Sequence, residues 1–258
     1  MKRSKKTLAA LLSVLLLTGP LSGCTLLRFD DPAEIKQQEQ ELEKQQSVVL
    51  PDVKGLLKAD HLVMDEKLTD PSGKEIALYQ ARFPYFDAKD NAALQNINSF
   101  YETEFGHLTS DKDRFFKLAT EKPSNILRSS TFDYELLSAR PGHVAVLRTF
   151  ESVDSLGESG KLYTCDLFSA ATGLHLKFGD VFSGNKARAV ETLRKDLAKW
   201  CEKGNHAADW LDSMSDDLLC ENFTLSAKSL YIGFDRGTLP NGETLIELDL
   251  NPYLPFME

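Results

Sequence analysis

Carboxylates are the first residues whose spacing could do chemistry. Asp209, Asp212 and Asp216 recur at intervals of three and four, which on a helix would place them on one face. Paired carboxylates are the machinery of glycoside hydrolysis, one as acid and the other as base or nucleophile. The same cluster could hold calcium, although the EF-hand loop pattern is absent. The simplest reading is a solvated acidic helix. Among His61, His107, His143, His175 and His206, no two are spaced as a metal-binding pair on a helix or strand. No catalytic residue, metal ligand set or cofactor is therefore expected.

Cysteine chemistry has more openings. The chain holds four, Cys24, Cys165, Cys201 and Cys220. Cys201 at a helix end and Cys220 before a strand could meet as a disulfide, which an oxidising compartment permits. Cys165 reads as a small buried apolar residue. A nucleophilic pair of Cys165 with His175 is chemically conceivable, but across a turn the sequence leaves their faces open. Trp200 completes a helical stripe, whereas an exposed Trp210 would offer a platform for a sugar or a protein. With Asp154, Ser155 and Glu158 in the Ser/Gly-rich loop 154–160, Trp210 makes up the candidate contact set.

The elements that would position these residues centre on the stretch from Leu162 to Cys201. Tyr163, Cys165 and Leu167 share one face of a strand. After the turn Ala171-Thr172-Gly173, Ser183 is the expected cap of a helix carrying Ala187, Val190, Leu193, Leu197 and Trp200 at helical spacing. Earlier in the chain, His61–Leu68 and Glu75–Phe83 read as strands joined by Asp70-Pro71-Ser72-Gly73. A helix follows with Leu94, Ile97, Tyr101, Phe105 and Leu108 on one side, and a second cap is expected at Ser110 with Asp113. Ser130–Ala139 and His143–Ser152 form another hairpin, Phe223–Leu225 and Leu230–Phe234 a third, and Leu245–Leu250 a last strand. The class is α+β, in two lobes of antiparallel hairpins with helices packed on the sheet, divided as 53–128 and 129–258.

Ahead of these lobes the sequence gives an address. Residues 1–23 have a basic start, an apolar run from Leu8 to Leu17 too short to span a bilayer, and a Gly19-Pro20 break. Residues 24–52 follow as a polar tether, with DDPAEIKQQEQELEKQQ too poor in apolar residues for a buried stripe. Formal charge is −9, and four of the cations (Lys2, Arg3, Lys5, Lys6) belong to the leader, so the remainder carries −13. Such a body repels nucleic-acid phosphates and favours basic partners.

Three resemblances sharpen this. Leu21-Ser22-Gly23-Cys24 resembles the lipobox of bacterial lipoproteins, which implies a diacylated Cys24 as new N-terminus, anchored to the cell membrane and facing outward. Phe83-Pro84-Tyr85 with the helix bearing Ile97-Asn98 resembles the domain preceding the catalytic part of PdaC-type peptidoglycan deacetylases. Leu167-Phe168, Thr172-Gly173, Leu176 and Asp180-Val181-Phe182 resemble the C-terminal domain of RsiV-type anti-sigma factors. So do Asn222-Phe223-Thr224-Leu225 and Leu230-Tyr231-Ile232-Gly233-Phe234.

The second pair implies a non-catalytic envelope protein whose partner is a lysozyme-type muramidase or another basic wall-associated protein. Peptidoglycan or glycan binding is the alternative. The departures narrow what is implied. The deacetylase motif Thr-Phe-Asp-Asp-Gly finds only Thr131-Phe132-Asp133-Tyr134, in a strand and without a His-x-x-x-His pair, so deacetylation is not expected. RsiV-type proteins carry a cytoplasmic sigma-binding segment and a transmembrane helix, for which no counterpart is read here. Their aromatic and Gly-His loop before the central strand is replaced by Phe150–Gly160, which has no histidine.

Overall fold

Turn chemistry and alternation build the first strands as expected. The computed structural model describes residues 53–257, so the leader, Cys24 and the tether lie outside the described residues. β1 (Leu62–Thr69) and β2 (Glu75–Phe83) form an antiparallel hairpin with a bulge between Leu68 and Thr69. Asp70 Oδ1 accepts from the N–H groups of Ser72 and Lys74 and so closes the turn. Along β2, Ala77, Tyr79, Ala81 and Phe83 are buried and their neighbours are not, as a half-covered strand requires.

α1 (Ala92–Glu121) is capped by Asn91, whose side chain accepts from the Leu94 N–H. It runs unbroken for 30 residues, so the second cap expected at Ser110 does not form. The apolar side stays in phase from Leu94, Ile97, Tyr101 and Leu108 to Phe115, Phe116 and Ala119, while Ser110 and Asp113 stay exposed. Propensity at one serine loses to that continuous stripe. Arg128 meets the far end of α1, donating to the Lys122 carbonyl just past the helix and to the Leu118 carbonyl, which also accepts the Lys122 N–H.

β3 (Arg128–Leu136), β4 (His143–Val153) and β5 (Ser159–Ser169) extend the same sheet, in the order β1-β2-β3-β4-β5. β2 and β3 pair in parallel, Ala77↔Arg128 to Ala81↔Phe132, with α1 as the crossover that parallel strands need. The α+β class holds, but hydrogen bonding passes straight across the division expected at residue 128. A second, three-stranded antiparallel sheet contains β6 (Phe223–Leu225), β7 (Ser229–Gly233) and β8 (Leu245–Asp249). Between the sheets in sequence lie α2 (Phe178–Val181), α3 (Lys186–Gly204), α4 (Asp209–Ser213) and α5 (Asp216–Leu219). Asn185, not Ser183, caps α3, its side chain accepting from the Arg188 N–H.

Two cores result. α1 covers one face of the large sheet through Leu94, Ile97 and Tyr101 against Phe83, Val146 and Phe168. On the opposite face, Ala145 and Leu167 join a core made with α3 and the small sheet. β4 is thus buried on both faces over Val144-Ala145-Val146-Leu147, which is why that run does not alternate. The outer edge of β5 is closed by side chains. Asn222 Oδ1 accepts from the Cys165 N–H at 2.7 Å, its Nδ2 donates to the Tyr163 carbonyl at 2.9 Å, and Thr244 Oγ1 donates to the Lys161 carbonyl. They stand in for a neighbouring strand. Asn98 does the same for Phe86, at 2.8 and 2.9 Å.

Among the described residues, two buried side-chain polar atoms have no partner, one of them under α1. Tyr79 Oη is enclosed without a hydrogen bond, its ring against Phe115, Phe116 and Phe132, and burial pushes its pKa up to about 12. Tyr79→Phe is expected to match wild type or exceed it by up to about 1 kcal/mol in urea denaturation. A loss above that would mean the hydroxyl has a partner.

Candidate functional site

Two charged residues interrupt the apolar strands, Arg148 in β4 and Asp166 in β5. The register Val146↔Asp166 and Arg148↔Thr164 sets them diagonally on the face under α1. Arg148 Nε donates to Asp166 Oδ2 at 2.6 Å and Nη2 donates to Oδ1 at 3.2 Å. Nη1 reaches Glu104 Oε2 on α1 at 3.1 Å. Tyr101 Oη donates to Asp166 Oδ2 at 3.1 Å, and His175 Nε2 lies 3.4 Å from Oδ1. The His175 ring stacks on Phe100, and the guanidinium lies over Phe83, Phe100 and Tyr101.

The electrostatics follow from burial and pairing. Asp166 is 2% exposed. Burial alone would raise its carboxyl, but the hydrogen bonds from His175 and Arg148 and the Arg148 charge hold it below the ordinary carboxylate range. Burial works against the Arg148 charge too, and Asp166 outweighs it, so the guanidinium is held more firmly protonated. Burial and the neighbouring carboxylate keep the Tyr101 phenol far above its usual value. With Arg148, Tyr101 and His175 all turned on it, Asp166 is saturated. It acts as a strut joining α1, β4, β5 and the segment after β5.

Beside the strut, α1 and the outer halves of β3–β5 enclose a cleft of about 190 Å³. Phe132 and Phe150, paired across β3 and β4 with ring centroids 4.6 Å apart, form its floor with Phe83. Glu104, His107 and Asp111 stand on its α1 wall, opposite Arg148.

The expected contact residues sort differently. Asp154, Ser155 and Glu158 come together at the β4–β5 turn. Asp154 Oδ1 accepts from the N–H groups of Leu156 and Glu158 at 2.8 and 3.0 Å, so Asp154 builds the turn. The Ser155 carbonyl accepts from Ser124 Oγ at 2.8 Å, and Gly157 rests against Ile126. Leu156 stands 76% exposed at the tip, with Ile126 and Leu127 at 38% and 42% beside the buttress. Trp210 is not the exposed platform expected: it is half-buried, edge-on to Phe234 at 5.5 Å, with its Nε1 buried and unpartnered. Its ring is worth more to the core than to solvent.

The remaining chemical candidates also change. Asp209 and Asp212 lie on α4 and Asp216 on α5, so they share no helix face, and Asp216 is taken by Arg194 at 2.7 Å. Among the described residues no group of three or more His, Cys, Asp or Glu is placed to hold a metal ion. Cys165, Cys201 and Cys220 are all buried free thiols, and the expected Cys201–Cys220 bridge is not formed. Arg194, which pairs with Asp216 and the Leu211 and Met214 carbonyls, fixes α5 near the middle of α3. Cys220, just after α5, feels the charges of Lys186 and Arg194 in the first half of α3, whereas Cys201 lies in the last turn of that helix. Cys165 projects from the face of β5 opposite Asp166, toward the Gly233 backbone, and burial pushes its thiol well up. It does not meet His175, which pairs with Asp166 instead.

Sequence reasoning missed Tyr101, Glu104, Arg148, Asp166 and His175 as a set. The available signal was one charge of each sign inside the apolar runs of two adjacent strands.

No helix among the described residues is long and apolar enough to cross a membrane. No family model matches the sequence, and no curated protein matches it. Solved structures do match. A DUF3298-family protein from Bacteroides fragilis and another from Pseudomonas aeruginosa each align with a TM-score of 0.54. In both cases the alignment covers 78% of this chain and 94% of theirs, at 13% identity. The chain therefore has the α+β fold seen in these DUF3298-family structures.

Proposed function

We propose that this protein is a lipid-anchored, non-catalytic binding protein on the outer face of a bacterial cell membrane. Its partner is a basic, cell-wall-associated protein of the lysozyme-type muramidase class. The lipobox at Leu21–Cys24 supports the anchor, and the PdaC-like and RsiV-like motifs support the partner class. The observation that carries the reading is the β4–β5 turn. It is pre-shaped by Asp154, held by Ser124 and Ile126, and presents Leu156 beside Ile126 and Leu127 with Asp154 and Glu158 at the rim. An exposed apolar contact with an acidic border suits a basic protein surface.

The test is binding of residues 25–258 to lysozyme at two salt concentrations, beside an equally basic unrelated protein. Saturable, selective binding that persists at physiological salt is expected, weakened at least about tenfold by Leu156→Arg with Glu158→Lys. Equal binding to the control, vanishing with salt, would overturn the reading, because a charge of −13 attracts any cation at low salt. Binding of purified peptidoglycan fragments instead would favour the glycan-binding alternative. The anchor is tested separately: Cys24→Ser is expected to move nearly all of the protein from the membrane to the soluble fraction, since one signal sequence without acyl chains gives no stable anchoring.

A further inference from the structure

Of the cavities in the described residues, the one between α1 and β3–β5 combines enclosure, aromatic surface and unbalanced charge. We propose that it is a receiving pocket for a single cationic side chain, lysine or arginine, of the basic partner. This rests on the binding reading above and names the chemistry of one contact within it.

Three observations carry it. First, at about 190 Å³ the cleft has room for one long side chain and not for an oligomer or a folded segment. Second, its floor is the half-exposed rings of Phe132 and Phe150. The negative face of an aromatic ring attracts an ammonium or guanidinium. Arg148 already makes that contact next door over Phe83, Phe100 and Tyr101. Third, the charge around the cleft has a sign. Arg148 is matched by the bidentate Asp166, which leaves Glu104 and Asp111 as net negative charge on the α1 wall. Glu104 keeps one oxygen on Arg148 and is still 39% exposed, so it can accept a second donor. An anionic ligand would meet those two carboxylates, and a neutral one would leave them unused.

Placement agrees with the reading. Phe150 is four residues before Asp154 along β4, about 13 Å at strand rise. A protein seated on Leu156 and Ile126 can set one basic side chain into the cleft from the same docking position.

The test uses the full chain in detergent micelles, titrated with arginine amide and N-acetyl-lysine amide. Propionamide serves as neutral control and N-acetylglucosamine as the sugar. Binding is read by NMR shifts of the Phe132 and Phe150 rings. Saturable binding of the cations in the millimolar range is expected, with none for propionamide. Asp111→Asn, at an exposed position outside the strut, should weaken it about threefold, and Phe132→Leu should do the same. Sugar binding without cation binding would overturn the pocket, as would binding insensitive to both substitutions or no binding at all. The outcomes separate from those above: lysozyme binding that survives while the cations fail to bind removes the pocket only. Cation binding without lysozyme binding removes the muramidase reading and leaves the pocket.

Discussion

Asp166→Leu is expected to cost about 3–5 kcal/mol in chemical denaturation, although it replaces a polar residue by an apolar one at a buried site. The loss comes from the residue left behind. Arg148 sits with its side chain 15% exposed, and Asp166 supplies two of its three hydrogen-bonded contacts. Without the carboxylate, the guanidinium is a buried charge facing only Glu104. Changing both, Arg148→Met with Asp166→Leu, removes the charge and its partner together. It is expected to return within about 2 kcal/mol of wild type. A cost below about 1 kcal/mol for the single change would mean that water replaces the carboxylate.

The same pair sets an acid limit. The folded-state pKa of Asp166 is below its unfolded value, so its contribution is fully present above the unfolded pKa of about 4. It is lost as pH falls through the folded value. Stability of wild type should therefore drop below about pH 4, and the drop should be shallower in the double variant.

Much of the architecture was local enough to read from sequence. Asp70-Pro71-Ser72-Gly73 specifies its turn by its own side chain and backbone, and β6–β7 is a short hairpin of the same kind. What failed to show was non-local. The parallel joint between β2 and β3 is made 51 residues apart by way of α1, and no turn signal records it. A cap at Ser110 satisfied local chemistry, yet the stripe from Leu94 to Ala119 overrode it. The site divides along the same line. Asp154, Ser155 and Glu158 are neighbours in sequence and were visible as one loop. The Asp166 cluster draws on α1, β4, β5 and the segment beyond, so only its two misplaced charges were legible. Trp210 shows the converse limit, since a tryptophan between acidic residues carries no mark of which side of the helix meets Phe234.

Gly173→Ala is expected to destabilise the protein by more than about 3 kcal/mol, well beyond the usual change at an exposed turn. Gly173 has φ +70°, in the left-handed region where any Cβ is penalised by about 1–2 kcal/mol. The rest is steric. A Cβ would strike the Ala93 carbonyl oxygen, with the carbonyl carbon at 2.8 Å and Asn96 Cβ at 2.9 Å. Those atoms belong to the first turns of α1, which dock here through Asn96 Nδ2 on the Thr172 carbonyl at 2.8 Å. Helix backbone cannot yield as a flexible side chain can, so α1 or the turn must move.

Gly73 supplies the comparison: its φ is +86°, and nothing lies within 4 Å of where its Cβ would stand. Gly73→Ala should show only the conformational penalty, and the difference between the two measures the close approach alone. Because His175 follows two residues later and rests on Phe100 of α1, the Gly173 variant should also shift the His175 ring resonances. If both alanines cost the same and His175 is undisturbed, α1 does not dock on this turn. The path by which the helix holds His175 against Asp166 would then have to run elsewhere.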